Sequence, residues 1–150
     1  MNQPLSISDL DIPRLRELGE GIWTAGQPSA EQLQRAQRAG LRSVVSLCPH
    51  GECGWDEKAA VNKLGMAYHS VPISGAGDLN PAAARALADA VRSAARPVLV
   101  HCASSNRVGA LFALKAFFVD GLNRDDAVKH GQQAGLAALE SAVRQILANC

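Results

Sequence analysis

Aromatic residues are scarce: three phenylalanines, two tryptophans and one tyrosine, 4% of 150 residues. A surface that holds nucleic acid by stacking bases on aromatic rings has little material here. Charge of one sign is lacking as well. Fifteen Lys and Arg stand against fourteen Asp and Glu, a net charge of +1. That balance argues for neither a nucleic-acid partner nor binding to an acidic membrane surface. No uninterrupted apolar run approaches the roughly 20 residues that a membrane helix requires. The first 20 residues show no cationic start followed by an apolar block of about 7–15 residues, so no secretory signal is read there. Cysteines number four: Cys48, Cys53, Cys102 and Cys150. They are too sparse for a disulfide scaffold and suit free thiols in a reducing compartment, hence a cytoplasmic protein. Cys48 and Cys53 enclose four residues and no second pair follows, so no metal and no cofactor is expected. Internal repeats and low-complexity runs are absent.

What is present is ordinary for a globular chain, 47% hydrophobic and 19% charged. The length predicts one domain over residues 1–150 with a substantial core, preceded by an irregular arm over residues 1–20. Pro13 interrupts any helix in that arm.

One stretch organises the rest. Pro97-Val98-Leu99-Val100-His101-Cys102-Ala103-Ser104-Ser105-Asn106-Arg107-Val108-Gly109-Ala110 reads as a buried strand, a tight loop and an apolar helix. The strand is a continuous apolar run, as in a central parallel strand covered on both faces. The helix, from Arg107 to Val119, is apolar nearly all round and therefore a core helix. Its N-terminus presents backbone N–H groups to the loop, which is an anion site. Ala103, Ser104, Ser105, Asn106, Arg107 and Val108 are the expected oxyanion-binding residues. Cys102 sits near the positive end of that helix. The field, the loop amides and Arg107 are expected to lower its pKa from about 8.5 into the range of roughly 3.5–7.5. The thiolate is the nucleophilic form. Arg107 offers a planar fork for two oxygens of a phosphate or sulfate. The plainer reading makes Cys102 a structural strand-end residue and Arg107 a cap. An arginine at a helix N-terminus opposes the dipole, so its presence there calls for another reason.

The remaining elements follow in order. Gly21 to Ala25 reads as a short strand. Ser29-Ala30-Glu31-Gln32 is a capping box, and its helix turns Leu33, Ala36 and Ala39 to the core before stopping at Gly40. Leu41 to Leu47 is a second strand, Cys48 to Trp55 a polar loop, Asp56 to Leu64 a helix and Met66 to Ile73 a third strand. Ser74 to Leu79 is a loop. Asn80-Pro81 starts a helix with an apolar stripe of Ala83, Leu87, Ala90, Val91 and Ala94. After the core helix Gly121 breaks the chain. Asn123 caps a short helix, and Leu139, Val143 and Ile146 mark a last amphipathic one. The alternation predicts an α/β fold of three layers, with a mostly parallel sheet of four to five strands between helices. Ligands bind such sheets beyond the carboxyl ends of the strands. The loops at 48–56 and 74–79 then share a face with Cys102.

His101-Cys102, a short loop and Arg107 resemble the signature of the protein tyrosine and dual-specificity phosphatases. Gly26-Gln27-Pro28-Ser29 and Val44-Val45-Ser46-Leu47-Cys48 are similar to the small bacterial phosphatase-like domain of the beta-lactamase-hydrolase-like group. The likeness covers about Gly21 to Gly131. It implies a metal-independent phosphomonoesterase with Cys102 as nucleophile, Arg107 and the loop amides on the phosphate, and His101 orienting the loop. It implies an acid in the loop where Asp78 stands. Asp56, Glu52 and His50 are second choices, and each also reads as a solvated loop residue. Asp78 also reads as a charge favourable to the next helix. Gln132 and Gln133 resemble weakly a water-positioning glutamine, against a plainer role as surface amides. Cys48 resembles the second cysteine that captures an oxidised nucleophile in phosphoinositide phosphatases, against a plainer role as a small apolar strand residue.

Three positions depart from the signature. Four residues separate Cys102 and Arg107 where that family has five. Asn106 replaces the usual Gly, and Val108 the usual Ser or Thr. The shorter loop matches rhodanese-type sulfurtransferases, in which Cys102 would carry a persulfide. A non-catalytic phosphate-binding module is the third reading. The expected partner is a phosphorylated protein or a small-molecule phosphomonoester.

Overall fold

In the computed structural model, which describes residues 6–150, five short strands form one sheet. They are β1 (Arg16–Gly19), β2 (Ile22–Ala25), β3 (Ser43–Ser46), β4 (Ala67–Ser70) and β5 (Val98–His101). Six α-helices join or follow them: α1 (Ala30–Arg38), α2 (Glu57–Lys63), α3 (Pro81–Ser93), α4 (Asn106–Phe118), α5 (Arg124–Gln133) and α6 (Glu140–Ala148). The strand order is β1-β2-β5-β3-β4, parallel except for β1. The α/β architecture expected from the alternation is present.

The arm over residues 1–20 is not irregular throughout, contrary to what the sequence led us to expect. Arg16–Gly19 is a strand, antiparallel to β2. It carries no alternating pattern of its own. Its reversal runs through Glu20 and Gly21, both at positive φ (56° and 77°), and β2 supplies its partners. The expected second and third strands shorten to four residues each. Their flanks still follow the sheet direction, with Leu47 N–H donating to His101 O at 2.9 Å and Ile73 N–H to Leu47 O at 2.8 Å.

β5 lies in the middle of the sheet, and all four of its residues are buried. Its period of two sends Leu99 to one face, and Val98 and Val100 to the other. Leu99 and Val44 meet Leu33, Ala36 and Val61 of α1 and α2, together with Ile7, Leu10 and Ile12 of the N-terminal segment. Val98, Val100 and Val45 meet α3, α4, α5 and α6. That divides the helices into two layers around the sheet. Full burial of Phe112, Leu111 and Leu114 on α4 stabilises the second layer by about 1.5–3 kcal/mol each.

The predicted helix starts hold. Ser29 and Gln32 form a reciprocal capping box, and the Asn80 and Asn123 side chains accept from Ala83 N–H and Asp126 N–H. Such caps stabilise by about 1 kcal/mol each. α4 is held where it begins by close backbone approach. A Cβ at Gly109 would stand 1.9 Å from Leu136 N, and one at Gly131 would stand 2.6 Å from Gly109 O. Glycine is required at both places for the α5 end to pack on α4. Among the described residues, no helix is long and apolar enough to cross a membrane.

Candidate active site

The site grows from the end of β5. Cys102 leaves the strand fully buried, with its N–H toward Ala25 O at 3.4 Å. The chain then turns sharply. Ser105 adopts the left-handed region at φ 70°, which costs a non-glycine residue strain of about 1–3 kcal/mol. The surroundings hold it there. Its hydroxyl donates to Ala134 O at 2.9 Å, and its carbonyl accepts from Gly109 N–H at 2.9 Å. A Cβ on Gly135 would stand 2.4 Å from that hydroxyl, so the neighbouring turn has to be glycine. Asn106 also points outward, its Oδ1 accepting from Ala137 N–H at 2.9 Å and Leu139 N–H at 3.2 Å.

The side chains of Ser105 and Asn106 therefore serve the fold, and their backbones serve the loop. None of the N–H groups from Ala103 to Val108 has an acceptor among the described residues. Six successive donors are thus left without partners next to a buried thiol. Ala103 and Ser104 are exposed at its rim, and Val108 is buried at its base.

Arg107 flanks the bowl. Its Nη1 and Nη2 donate to Glu52 Oε1 and Oε2 at 2.9 and 2.6 Å, and Nη1 also donates to Ile73 O at 2.8 Å. Three of the five guanidinium hydrogens are thereby used. The remaining two, on Nε and Nη2, lie along one edge and have no partner among the described residues. The hydrogen bonds to Glu52 push the Arg107 pKa up, with a further contribution from the charge of a Cys102 thiolate. The same bonds from Arg107 hold the Glu52 carboxyl below its ordinary range. Glu52 is thus an ionised partner of Arg107, not a proton donor at neutral pH.

The other predicted residues fall as follows. Asp78 lies exposed in a 3-10 turn, Ala76–Asp78, and its Oδ2 accepts from Ser74 N–H at 2.8 Å. Asp56 caps α2 by accepting from Ala59 N–H at 3.0 Å, and His50 is exposed. Gln132 donates to Glu140 Oε1 at 2.7 Å and Gln133 is exposed, so these two behave as surface amides. Cys48 is buried beyond the end of β3, with its thiol 3.6 Å from Gln27 Oε1. Burial pushes that thiol up to about 12, helped by the nearby Glu52 carboxylate. All four cysteines are free. A cavity of about 610 Å³ opens behind the 48–56 loop, walled by Cys48, Trp55, Glu57, Lys58 and Tyr68.

Two residues of this site were missed in the sequence. Glu57 is buried against His101, and Gln27 joins Glu57 to the signature loop. The signal for Glu57 was its place in the series Glu57, Val61, Leu64, an acid on the apolar stripe of α2.

The family model of the phosphatase-like domain of beta-lactamase hydrolase-like proteins matches residues 14–119. The chain belongs to that family. The phosphatase-like domain is 32% identical over 127 residues to the beta-lactamase hydrolase-like protein of Xylella fastidiosa, an alignment covering 81% of this chain and 29% of that protein. The chain thus spans less than a third of that relative's length. It is 27% identical over 122 residues to the dual specificity protein phosphatase TpbA of Pseudomonas aeruginosa, covering 81% of this chain and 54% of TpbA. The crystal structure of TpbA superposes with a TM-score of 0.66 at 22% identity, over 91% of this chain and 84% of TpbA. The core catalytic domain of the PP-IP phosphatase SIW14 from S. cerevisiae superposes with a TM-score of 0.67 at 17% identity, over 91% and 86% of the two chains. At these identities the superpositions establish a cysteine-phosphatase-like fold for the phosphatase-like domain.

Proposed function

We propose that the domain is a cysteine-dependent phosphatase that hydrolyses phosphomonoesters. The observation that carries this reading is the run of six free N–H groups around Cys102, with the open edge of Arg107 beside it. The Cys102 thiolate attacks phosphorus, forming an S–P bond as the bond to the ester oxygen breaks. Asp78 gives its proton to that leaving oxygen. Water then attacks phosphorus and gives a proton to the Asp78 carboxylate as the S–P bond breaks, releasing phosphate and restoring the thiolate. The loop amides and Arg107 stabilise the charge on the non-bridging oxygens throughout. Nothing in these steps calls on a metal ion. The substrate is a phosphorylated protein or a small-molecule phosphomonoester. Two structural relatives support that breadth: a TpbA variant was solved in complex with pTyr, and SIW14 is a PP-IP phosphatase.

The four-residue spacing between Cys102 and Arg107 favours a second reading, sulfur transfer. Cys102 would take the sulfane sulfur of thiosulfate, releasing sulfite, and pass it from the persulfide to cyanide as thiocyanate. Parallel incubations with an aryl phosphate and with thiosulfate plus cyanide separate the two. Phosphate release by the wild type, lost in Cys102→Ser with phosphate binding kept, supports the phosphatase. Thiocyanate formation without phosphate release supports sulfur transfer. Phosphate binding with neither product leaves a non-catalytic phosphate-binding module.

A further inference from the structure

Beneath the loop lies a buried polar chain that the mechanism above does not use. Glu57, the first residue of α2, is only 4% exposed. Its Oε2 lies 2.5 Å from His101 Nε2, and its Oε1 accepts from Gln27 Nε2 at 3.2 Å. His101 is fully buried, and its Nδ1 lies 3.4 Å from the carbonyl oxygen of Cys102. A carbonyl oxygen only accepts, so Nδ1 carries the hydrogen in that contact. The contact at Nε2 gives the ring's other nitrogen a partner in the Glu57 carboxyl, so both polar atoms of a fully buried ring are met. The titratable groups beside the pair, Tyr68 and Cys48, are both pushed up by burial and stay neutral at neutral pH. Which ring nitrogen of a histidine is protonated is set by what the other nitrogen meets. Here the other nitrogen meets Glu57.

The consequence reaches the bowl through peptide geometry. In a trans peptide the C=O and the following N–H point in opposite directions. The Cys102 carbonyl turns toward His101, so the Ala103 N–H turns away from the ring. The next plane is held in the same manner, because Ala103 O accepts from Gln27 N–H at 3.1 Å and sends the Ser104 N–H the other way. That approach requires glycine before Gln27, since a Cβ at Gly26 would stand 2.7 Å from Ala103 O. Gln27 thus fixes one plane with its backbone and holds Glu57 with its side chain.

We infer that Glu57 is a positioning residue: through His101 it orients the Cys102–Ala103 peptide and presents the Ala103 N–H to an oxyanion above Cys102. This rests on the loop being an oxyanion site, and the experiment separates the two statements.

The full chain is compared with Glu57→Gln, Glu57→Ala and Glu57→Leu. Two quantities are measured. Nitrogen-15 NMR of the His101 ring reads its tautomer, and peptide-resolved mass spectrometry reads the rate of Cys102 alkylation by iodoacetamide at increasing inorganic phosphate. In the wild type, Nδ1 carries hydrogen and phosphate protects Cys102. Glu57→Gln keeps a donor for Nε2 and an acceptor for Gln27, so it retains the tautomer and protection within about twofold. Glu57→Ala and Glu57→Leu lose the tautomer and need about tenfold more phosphate for the same protection, the usual effect of losing one charge-assisted hydrogen bond. A bare Nδ1 in the wild type overturns the inference, a result that needs no variant to fold. Wild-type protection that is unchanged in a folded Ala or Leu variant overturns it as well. No protection of the wild type overturns the oxyanion reading and this inference together.

Discussion

Arg107 and Glu52, 55 residues apart in the chain, meet in a two-point ion pair at 2.9 and 2.6 Å. Arg107 stands in the first turn of the helix that follows Cys102, and Glu52 belongs to the loop after β3. The pair ties those two loops together at the carboxyl ends of the strands. It also divides the guanidinium, because the Nη1–Nη2 edge belongs to Glu52 and the Nε–Nη2 edge has no partner among the described residues.

Replacing Arg107 by Lys tests that division. An ammonium keeps the charge but cannot hold a carboxylate on one edge and an oxyanion on another. We expect kcat/KM for an aryl phosphate to fall by about tenfold or more, the scale of one lost charge-assisted contact. Steady-state kinetics check this, and an unchanged value means that the arginine edge does not contact the substrate.

Glu52 should make stability depend on acid. Arg107 lowers its carboxyl from the ordinary 4.5, so folding favours the ionised form. Its contribution is present above that ordinary value and is lost as the pH falls through the lowered one. Glu52→Gln is therefore expected to melt below the wild type at neutral pH, with the gap closing as the pH falls below the ordinary 4.5. Thermal melts across that range decide the matter. A gap that stays constant, or widens in acid, contradicts the pairing.

Asp78→Asn separates the two roles of that carboxylate. As the acid, Asp78 matters most when the leaving oxygen is basic. The variant should slow alkyl phosphates far more than activated aryl phosphates. Asn retains an oxygen that can accept from Ser74 N–H, so the local turn is kept. Equal slowing of both substrates would reduce Asp78 to the partner of Ser74 seen in the turn.

Cys48 is proposed to protect the nucleophile. Peroxide oxidises the Cys102 thiolate to the sulfenic acid, and Cys48 condenses with it to a disulfide, releasing water. Because burial raises Cys48 to about 12, its reactive thiolate is sparse at neutral pH. The yield of a Cys48–Cys102 bridge should therefore increase from pH 7 to pH 10, and Cys48→Ser should make inactivation irreversible. Mass spectrometry after brief peroxide treatment reads both. Reversible inactivation of Cys48→Ser would remove Cys48 from this role.

The strand, loop and helix around Cys102 were legible because each signal acts over a few residues. A continuous apolar run makes a central strand. A proline after Asn80 starts a helix. Ser29 and Gln32 cap each other across three residues. The unpaired N–H groups of the loop were legible too, since a chain entering α4 leaves its first donors without helical partners. β1 was not legible, because a short, half-exposed edge strand has no pattern until β2 lies beside it.

Tertiary structure decided what the polar side chains do. Glu52 and Glu57 stand five residues apart, in and just after one polar loop, and nothing in the local sequence separates their roles. Packing α2 on the sheet buries Glu57 against a histidine 44 residues away, while Glu52 stays at the surface against Arg107, 55 residues away. The side chains of Ser105 and Asn106 turn to the α5–α6 connection, where they meet backbone groups of Ala134, Ala137 and Leu139. The local sequence determined the backbone of the loop between β5 and α4, since backbone conformation follows from near neighbours. The partners of its charged groups depended on the assembled fold, since a buried charge takes whatever complement the packing brings within hydrogen-bond reach.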